Sequence, residues 1–323
     1  MKFATIGHLI DEKTIEQFPK SWIQNNLVVS PEININGTKG HLTGIMLTAR
    51  QMVELPQEIV RKYILDAALF VQNELDVDII QLGALTTSVT NGGVWVTQQK
   101  EFTGFVNHGD SYTAAIACQV VRRITNILHK NPSELTLSIV GAYGVIGEAV
   151  SKILVPNFSH SILIGRREDK LKELAIKLDG NFETTIELKT KIADVIVTAT
   201  SHPDALLQSE HLNKSAIVVD VSQPPNLSYE VCQQRPDIHR IDGGYVNFSS
   251  QVHIPGLPKG RLFACISEVI MQSMENERKN HVGAIDLIHL RNTERWGEKY
   301  NFILKELTNF GKSIQINESK QAR

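Results

Sequence analysis

An α/β chain built on a doubly wound parallel sheet is predicted by three observations. Leu135 to Gly147 reads L-T-L-S-I-V-G-A-Y-G-V-I-G, alternating apolar residues that run into a glycine-rich turn. The residues that follow, E-A-V-S-K-I-L, have helical spacing, which completes the strand–turn–helix order of a dinucleotide phosphate-binding unit. Beyond it, strand-like and helix-like stretches alternate to about Tyr245, as in a parallel sheet covered by helices. The expected plan is an N-terminal α/β substrate domain over 1–130, an NAD(P)-binding Rossmann domain over 131–250, and C-terminal helices over 251–323.

With 323 residues and 42% hydrophobic content the chain can bury two cores. A net charge of -2 gives no general attraction to nucleic acid. The start, M-K-F-A-T-I-G-H-L-I-D-E, lacks a signal pattern, and no apolar run approaches the ~18 residues of a membrane span. Cys118, Cys232 and Cys265 are too few and too scattered for a disulfide framework or a zinc site. A reduced cytoplasmic protein is expected, with no metal ligands assigned; metal dependence and oligomeric state stay open.

In chain order, Lys2–Ile10 alternates like a first strand, and Asp11–Trp22 has helical apolar spacing. Short strands are expected at Leu27–Val29 and Ile33–Ile35, then a turn at Asn36-Gly37 and a strand over Gly40–Thr48. Pro56 opens a helix to Leu75 with a stripe of Ile59, Tyr63, Ala67 and Phe70. A strand follows at Val77–Leu82. The helix Tyr112–His129 carries the stripe Ile116, Val120, Ile124 and Leu128, and Asp110 or Ser111 can cap it. Later strands are expected at Ser159–Ile164, Phe182–Ile186, Ala193–Thr200 and Ala216–Asp220, with a helix over Glu168–Leu178. A short strand and double-glycine turn are expected at Arg240–Tyr245. A loop over Ile254–Gly260 leads to a helix from about Arg261 to Asn276. Gly283–Phe310 reads as a second helical region, and the tail from Ile314 is expected to fray.

Gly141, Ala142, Tyr143, Gly144, Val145, Ile146 and Gly147 form the candidate cofactor turn. Its spacing is G-x-x-G-x-x-G rather than G-x-G-x-x-G, so a turn without a ligand remains an alternative. The next strand ends in Gly165, Arg166 and Arg167, where an NAD enzyme usually places an acid for the ribose 2′-hydroxyl. A guanidinium pairs with a 2′-phosphate, so the two arginines favour NADPH over a solvated basic turn. Thr198, Ala199 and Thr200 end one strand, and Val221 and Ser222 follow another. Strand tips of this kind meet the cofactor.

Two loops are candidates for substrate. Gly83–Gly93, G-A-L-T-T-S-V-T-N-G-G, follows a strand and offers Gly83 and Ser88; it also reads as an ordinary polar turn. Phe102–Ala114, F-T-G-F-V-N-H-G-D-S-Y-T-A, is dense in polar groups at a helix start, offering Gly109, Asp110, Ser111, Tyr112 and Thr113. Capping alone needs only one of them. Cys265 lies about a turn inside its helix on a stripe with Leu262 and Val269. A helix start favours its thiolate and apolar packing opposes it.

Five segments together resemble the cyanobacterial-type long-chain acyl-carrier-protein reductases: A-T-I-G-H-L, L-G-A-L-T-T-S, T-G-F-V-N-H-G-D-S-Y-T-A, G-A-Y-G-V-I-G and F-A-C-I-S-E-V-I-M. The resemblance implies NADPH-dependent reduction of a fatty acyl thioester to an aldehyde through an acyl-cysteine. It places the nucleophile at Cys265 and the cofactor turn at Gly141, Ala142, Gly144, Ile146 and Gly147. The family's G-N-(S/T)-H-T-A segment corresponds to Gly109–Ala114, where Asp110 replaces the amide and Tyr112 the histidine. Tyr143 also stands where the family has a smaller residue. An acyl carrier protein or coenzyme A would deliver the acyl group. Arg61-Lys62 and Arg122-Arg123 are candidate docking cations, or solvated helix faces. Ser111, Tyr112 or a backbone N–H are candidate oxyanion donors. A shikimate- or quinate-type dehydrogenase shares the two-domain plan, but its N-V-T-x-P-x-K-like run is missing from residues 1–110. A glutamyl-tRNA reductase carries its cysteine in the N-terminal domain, and here no cysteine precedes Cys118. A non-catalytic dinucleotide sensor is a third class.

Overall fold

The computed structural model describes residues 1–248 and 257–316. The first part of the Ile254–Gly260 loop and most of the tail from Ile314 lie outside the described residues. The chain divides into two units, each made of two stretches. One is Met1–Tyr112 with Asn247–Ile303, and the other is Thr113–Val246 with Leu304–Arg323. The division therefore falls near 112 rather than 130, and the C-terminal stretch is shared between the units.

In the first unit the elements are β1 (Phe3–Leu9), β2 (Ile23–Gln24), β3 (Leu27–Val29), β4 (Ile33–Ile35) and β5 (Thr38–Thr48). Next come α1 (Ala49–Glu54), α2 (Gln57–Leu75), β6 (Ile79–Leu82), α3 (Leu85–Val89), α4 (Val94–Thr97), β7 (Phe105–Asn107) and the start of α5 (Asp110–Ile127). The sheet order is β2-β3-β5-β1-β6-β7, with β4 also on β5. The run β5-β1-β6-β7 is parallel, while β3 and β4 join β5 antiparallel.

Three local readings change in this unit. Asp11–Trp22 forms two 3-10 turns, Glu12–Gln17 and Lys20–Trp22, because Pro19 interrupts the helical pattern and donates no N–H. The buried face of α2 is Val60, Ile64, Ala67, Ala68 and Val71, one step from the expected stripe, and Ile59 is exposed. Gly83–Gly93 contains α3, and its hydroxyls close on the backbone. Thr86 donates to the Ile6 and Gly83 carbonyls, Thr87 to Leu82 (2.8 Å) and Thr90 to Thr86 (2.7 Å).

The second unit continues α5, whose stripe Ile116, Val120, Ile124 and Leu128 is buried as expected. It then holds β8 (Thr136–Val140), α6 (Val145–Leu154), β9 (His160–Ile164), α7 (Glu168–Ala175), β10 (Phe182–Thr185), β11 (Val195–Thr198), β12 (Ile217–Asp220), α8 (Tyr229–Gln234) and β13 (His239–Asp242). All neighbours in the order β10-β9-β8-β11-β12-β13 are parallel. Numbered from β8, that order is 3-2-1-4-5-6, the doubly wound dinucleotide-binding sheet. Register aligns Val140 with Thr198, Thr198 with Asp220 and Asp220 with Asp242, so four strand tips end in one row.

The chain then forms β14 (Tyr245–Asn247), β15 (Arg261–Phe263), α9 (Ala264–Met274) and α10 (Leu287–Tyr300), and closes with the hairpin β16 (Thr308–Asn309) and β17 (Lys312–Ser313). The helix expected from Arg261 thus starts three residues later, after a strand. The region expected to be helical to Phe310 ends at Asn301, whose φ of 62° turns the chain out of α10. α9 packs on β1, β5 and β6, and buries Ala264 and Ser267 through Ser273. No described helix is long and apolar enough to cross a membrane.

Candidate functional site

In the nucleotide unit, the turn between β8 and α6 is set by close backbone contact. A Cβ on Gly147 would collide with the Gly141 carbonyl, and one on Gly141 (φ +88°) with the Ala199 carbonyl. Gly144 caps α6 and donates its N–H to the Gly141 carbonyl (2.9 Å). The first-turn N–H groups of α6, from Val145 to Gly147, have no partner one helical turn back and present the positive dipole end. Ala142 is buried, while Tyr143 and Ile146 are partly exposed. The Tyr143 ring lies over Gly165 at the end of β9, where any Cβ would strike it.

Arg166 and Arg167 are both exposed. Arg167 makes a two-pronged pair with Asp169 (2.6 Å), which raises its already high pKa through the hydrogen bond and the charge. Arg166 has no ion pair recorded among the described residues. At the other strand tips the hydroxyls serve the fold. Thr198 donates to Asp220 Oδ1 (2.6 Å), Ser222 donates to Asn226 Oδ1 (3.0 Å), and the Thr200 N–H donates to Ser222 (3.0 Å). Asp220 also binds Arg240, which pairs with Asp242 and covers the Phe310 ring. Ala199, Thr200 and Val221 remain partly exposed.

In the first unit, the structure brings the second candidate loop against the cysteine. Gly109 (φ +71°) lies so close to Cys265 that an added Cβ would stand 2.5 Å from the cysteine Cβ and carbonyl oxygen. Asn107 fixes this bend by accepting the Gly109 N–H and donating to Gln272 of α9 (2.6 Å). Cys265 is the second residue of α9, nearer the helix start than expected, and is half-buried. The adjacent Ile266 N–H favours the thiolate. Burial, and then the neighbouring Asp110, outweigh this and push the thiol up to about 12.

Asp110 begins α5 with its side chain 14% exposed. Burial and the Glu268 carboxylate hold its carboxyl well above the ordinary range. Its N–H donates to His108 Nδ1 (2.9 Å). Burial lowers His108 to about 4, so that imidazole is neutral. Glu268, one turn beyond Cys265, is fully buried. It accepts from the Tyr112 N–H (2.7 Å) and from His289 Nε2 (3.0 Å). Burial opposes its charge, but the hydrogen bonds from His289 and the Tyr112 N–H hold its pKa below the ordinary carboxylate value.

Other expected residues fall elsewhere. The Tyr112 hydroxyl is buried and donates to the Phe302 carbonyl, so as an oxyanion donor it is already engaged. Ser111 and Thr113 are buried, and Ser88 is exposed on α3. The Gly83 N–H donates to Ile6 (3.0 Å). Of the docking cations, Arg61 donates to the Val89 carbonyl and faces Trp95, Lys62 pairs with Asp66, and Arg123 donates to Leu304. Arg122 is exposed. Cys118 is buried in α5, and burial raises Cys232 to about 11. His108, Glu268, His281 and His289 escaped sequence reading, although Glu268 stands three residues past Cys265 in F-A-C-I-S-E.

The family model of shikimate / quinate 5-dehydrogenase matches residues 123–242. That stretch falls within the nucleotide unit and stops short of Cys265. Among curated proteins, the chain is 24% identical to aminotransferase PigE of Serratia sp. over 250 residues, 73% of this chain and 29% of that protein. It is 26% identical to the long-chain acyl-(acyl-carrier-protein) reductase of Synechococcus elongatus over 208 residues, 61% of this chain and 60% of that one. It is 28% identical to the glutamyl-tRNA reductase of Caldivirga maquilingensis over 111 residues, 33% of this chain and 26% of that one. The chain thus spans less than two thirds of each relative's length, and the acyl-carrier-protein reductase likeness covers less of the chain than its motifs imply. The second unit is an NAD(P)-binding Rossmann unit, on its strand order, its glycine turn and this family match.

Proposed function

We propose that the protein is an NADPH-dependent reductase that converts a fatty acyl thioester, carried by acyl carrier protein or coenzyme A, to an aldehyde through an acyl group on Cys265. The supporting observation is the packing of Gly109 against Cys265, with Asp110 the next residue in the chain. The segment expected to bind substrate and the expected nucleophile share one place. Two relatives support the class, since both are named as reductases of an acyl group held on a carrier, one on acyl carrier protein and one on tRNA.

The resting sulfur is a thiol, so attack needs a proton acceptor. Asp110 suits that role once ionised, because its raised pKa makes it a stronger base than an ordinary carboxylate. The Cys265 sulfur bonds to the thioester carbonyl carbon and its proton passes to Asp110. The carrier sulfur leaves and takes that proton. The adjacent Ile266 N–H, which favours the thiolate, holds it when the acyl group departs as aldehyde. The Gly141–Gly147 turn, Arg166 and Arg167, and the backbone at Thr198–Thr200, Val221 and Ser222 would hold NADPH, which supplies a hydride when bound. Thr198 and Ser222 would contribute shape rather than their engaged hydroxyls.

A second reading, a shikimate- or quinate-type dehydrogenase, is favoured by the family match over residues 123–242. It has no use for Cys265. NADPH oxidation against a panel of acyl thioesters and hydroxy acids, with products identified directly, separates the two. Aldehyde from acyl thioesters, abolished in Cys265→Ser, is the expected result. Turnover of a hydroxy acid that survives Cys265→Ser would establish the second reading instead.

A further inference from the structure

Glu277, His281 and His289 form a cluster that neither the sequence motifs nor the reductase reading uses. Among the described residues it is the one group of three or more such side chains whose donor atoms could share a metal ion, all lying within 4.8 Å of one another. His281 Nε2 is 2.8 Å from Glu277 Oε2. The His281 and His289 rings stack with centroids 3.3 Å apart, and Trp296 walls the far edge of His289.

The sharper observation is His289 Nδ1. It is buried and has no hydrogen-bond partner, in a residue only 3% exposed. Its other nitrogen, Nε2, lies 3.0 Å from a Glu268 carboxylate oxygen, which fixes the ring and leaves Nδ1 the unmatched atom. A buried polar atom without a partner calls for a ligand or another explanation. A carboxylate that orients one imidazole nitrogen so that the other can bind a metal is a recurrent outer-shell arrangement. Glu277 is 31% exposed and opens the cluster to solvent.

We propose that Glu277, His281 and His289 bind one divalent transition-metal ion of the zinc type, with Glu268 as the residue that positions His289. Two imidazoles and one carboxylate suit Zn2+ with the remaining position open to water. Tetrahedral bonds of about 2.0–2.1 Å place ligand atoms about 3.3 Å apart.

The full-length protein, stripped with chelator, is titrated with Zn2+ by calorimetry and with Co2+ by visible absorption. The expected result is one saturable site per chain, with the ligand-field bands of low-coordinate Co2+. His289→Ala should abolish it, while Glu277→Gln and Glu268→Gln should each weaken it at least tenfold. Glu277 is partly exposed, so its variant remains informative if His289→Ala fails to fold, with circular dichroism as the check. No saturable binding, or binding unchanged in Glu277→Gln, would overturn the site. Thioester reduction plays no part in these readouts, so the metal site and the reductase reading can fail separately.

Discussion

Arg166 and Arg167 are adjacent and both exposed, yet their guanidinium groups differ in state. Arg167 is held by Asp169, whereas Arg166 carries no recorded pair among the described residues. A 2′-phosphate would have to compete with Asp169 for Arg167, so Arg166 should carry most of the cofactor preference. Arg166→Ala is expected to raise the KM for NADPH at least tenfold while changing that for NADH little, and Arg167→Ala should do less. Steady-state kinetics with both cofactors checks this, and equal loss of NADPH and NADH would remove the arginines from recognition. Cys265 gives a pH prediction of definite sign. A thiol whose pKa is raised to about 12 is almost wholly protonated near neutrality, and its thiolate fraction grows as pH rises. Iodoacetamide labelling of Cys265, followed by peptide mapping, should therefore accelerate about tenfold per pH unit from about pH 7 to about pH 10. A plateau near neutral pH would show a thiolate already stabilised in the resting protein.

At the scale of elements, the bend at Gly109 and the start of α9 hold one another. Gly109→Ala would drive a methyl group into the cysteine backbone at a positive φ that alanine resists. The expected outcome is loss of at least nine-tenths of Cys265-dependent turnover, with the glycine turn of the nucleotide unit still binding NADPH by fluorescence. Unchanged turnover would mean that the Gly109 contact is incidental. Most elements were legible in the sequence because their signals are local: alternation in β8, the stripe of α5, the glycines between β8 and α6. The phase of α2 was not, because that helix is apolar on more than one face and periodicity alone does not choose between Ile59 and Val60. Nor was the role of the hydroxyls in Gly83–Gly93: Thr87 and Thr90 close on carbonyls a turn back, and Thr86 reaches the Ile6 carbonyl only once β1 and β6 are paired. Cys265 and Asp110 were legible as motifs. The charge balance around them was not, since Glu268, His108 and His289 meet only through tertiary packing.

At the scale of the whole molecule, the first unit is completed by chain that returns after the nucleotide unit. α9 packs on β1, β5 and β6, and the Met1 amino group reaches the Ser273 carbonyl. Cys265 therefore belongs structurally with the first 112 residues, although it stands 153 positions after Tyr112. The family match over residues 123–242 covers the cofactor unit and stops short of Cys265. The proposed thioester chemistry is assigned to the first unit, where Gly109 lies against Cys265. Intact-mass spectrometry with peptide mapping, after mixing with a fatty acyl thioester and then with NADPH, tests this most directly. The account expects an acyl mass on Cys265 in the absence of NADPH, discharged as aldehyde when NADPH is added. Aldehyde formed with no acyl mass ever on Cys265, or formed equally well by Cys265→Ser, would contradict it.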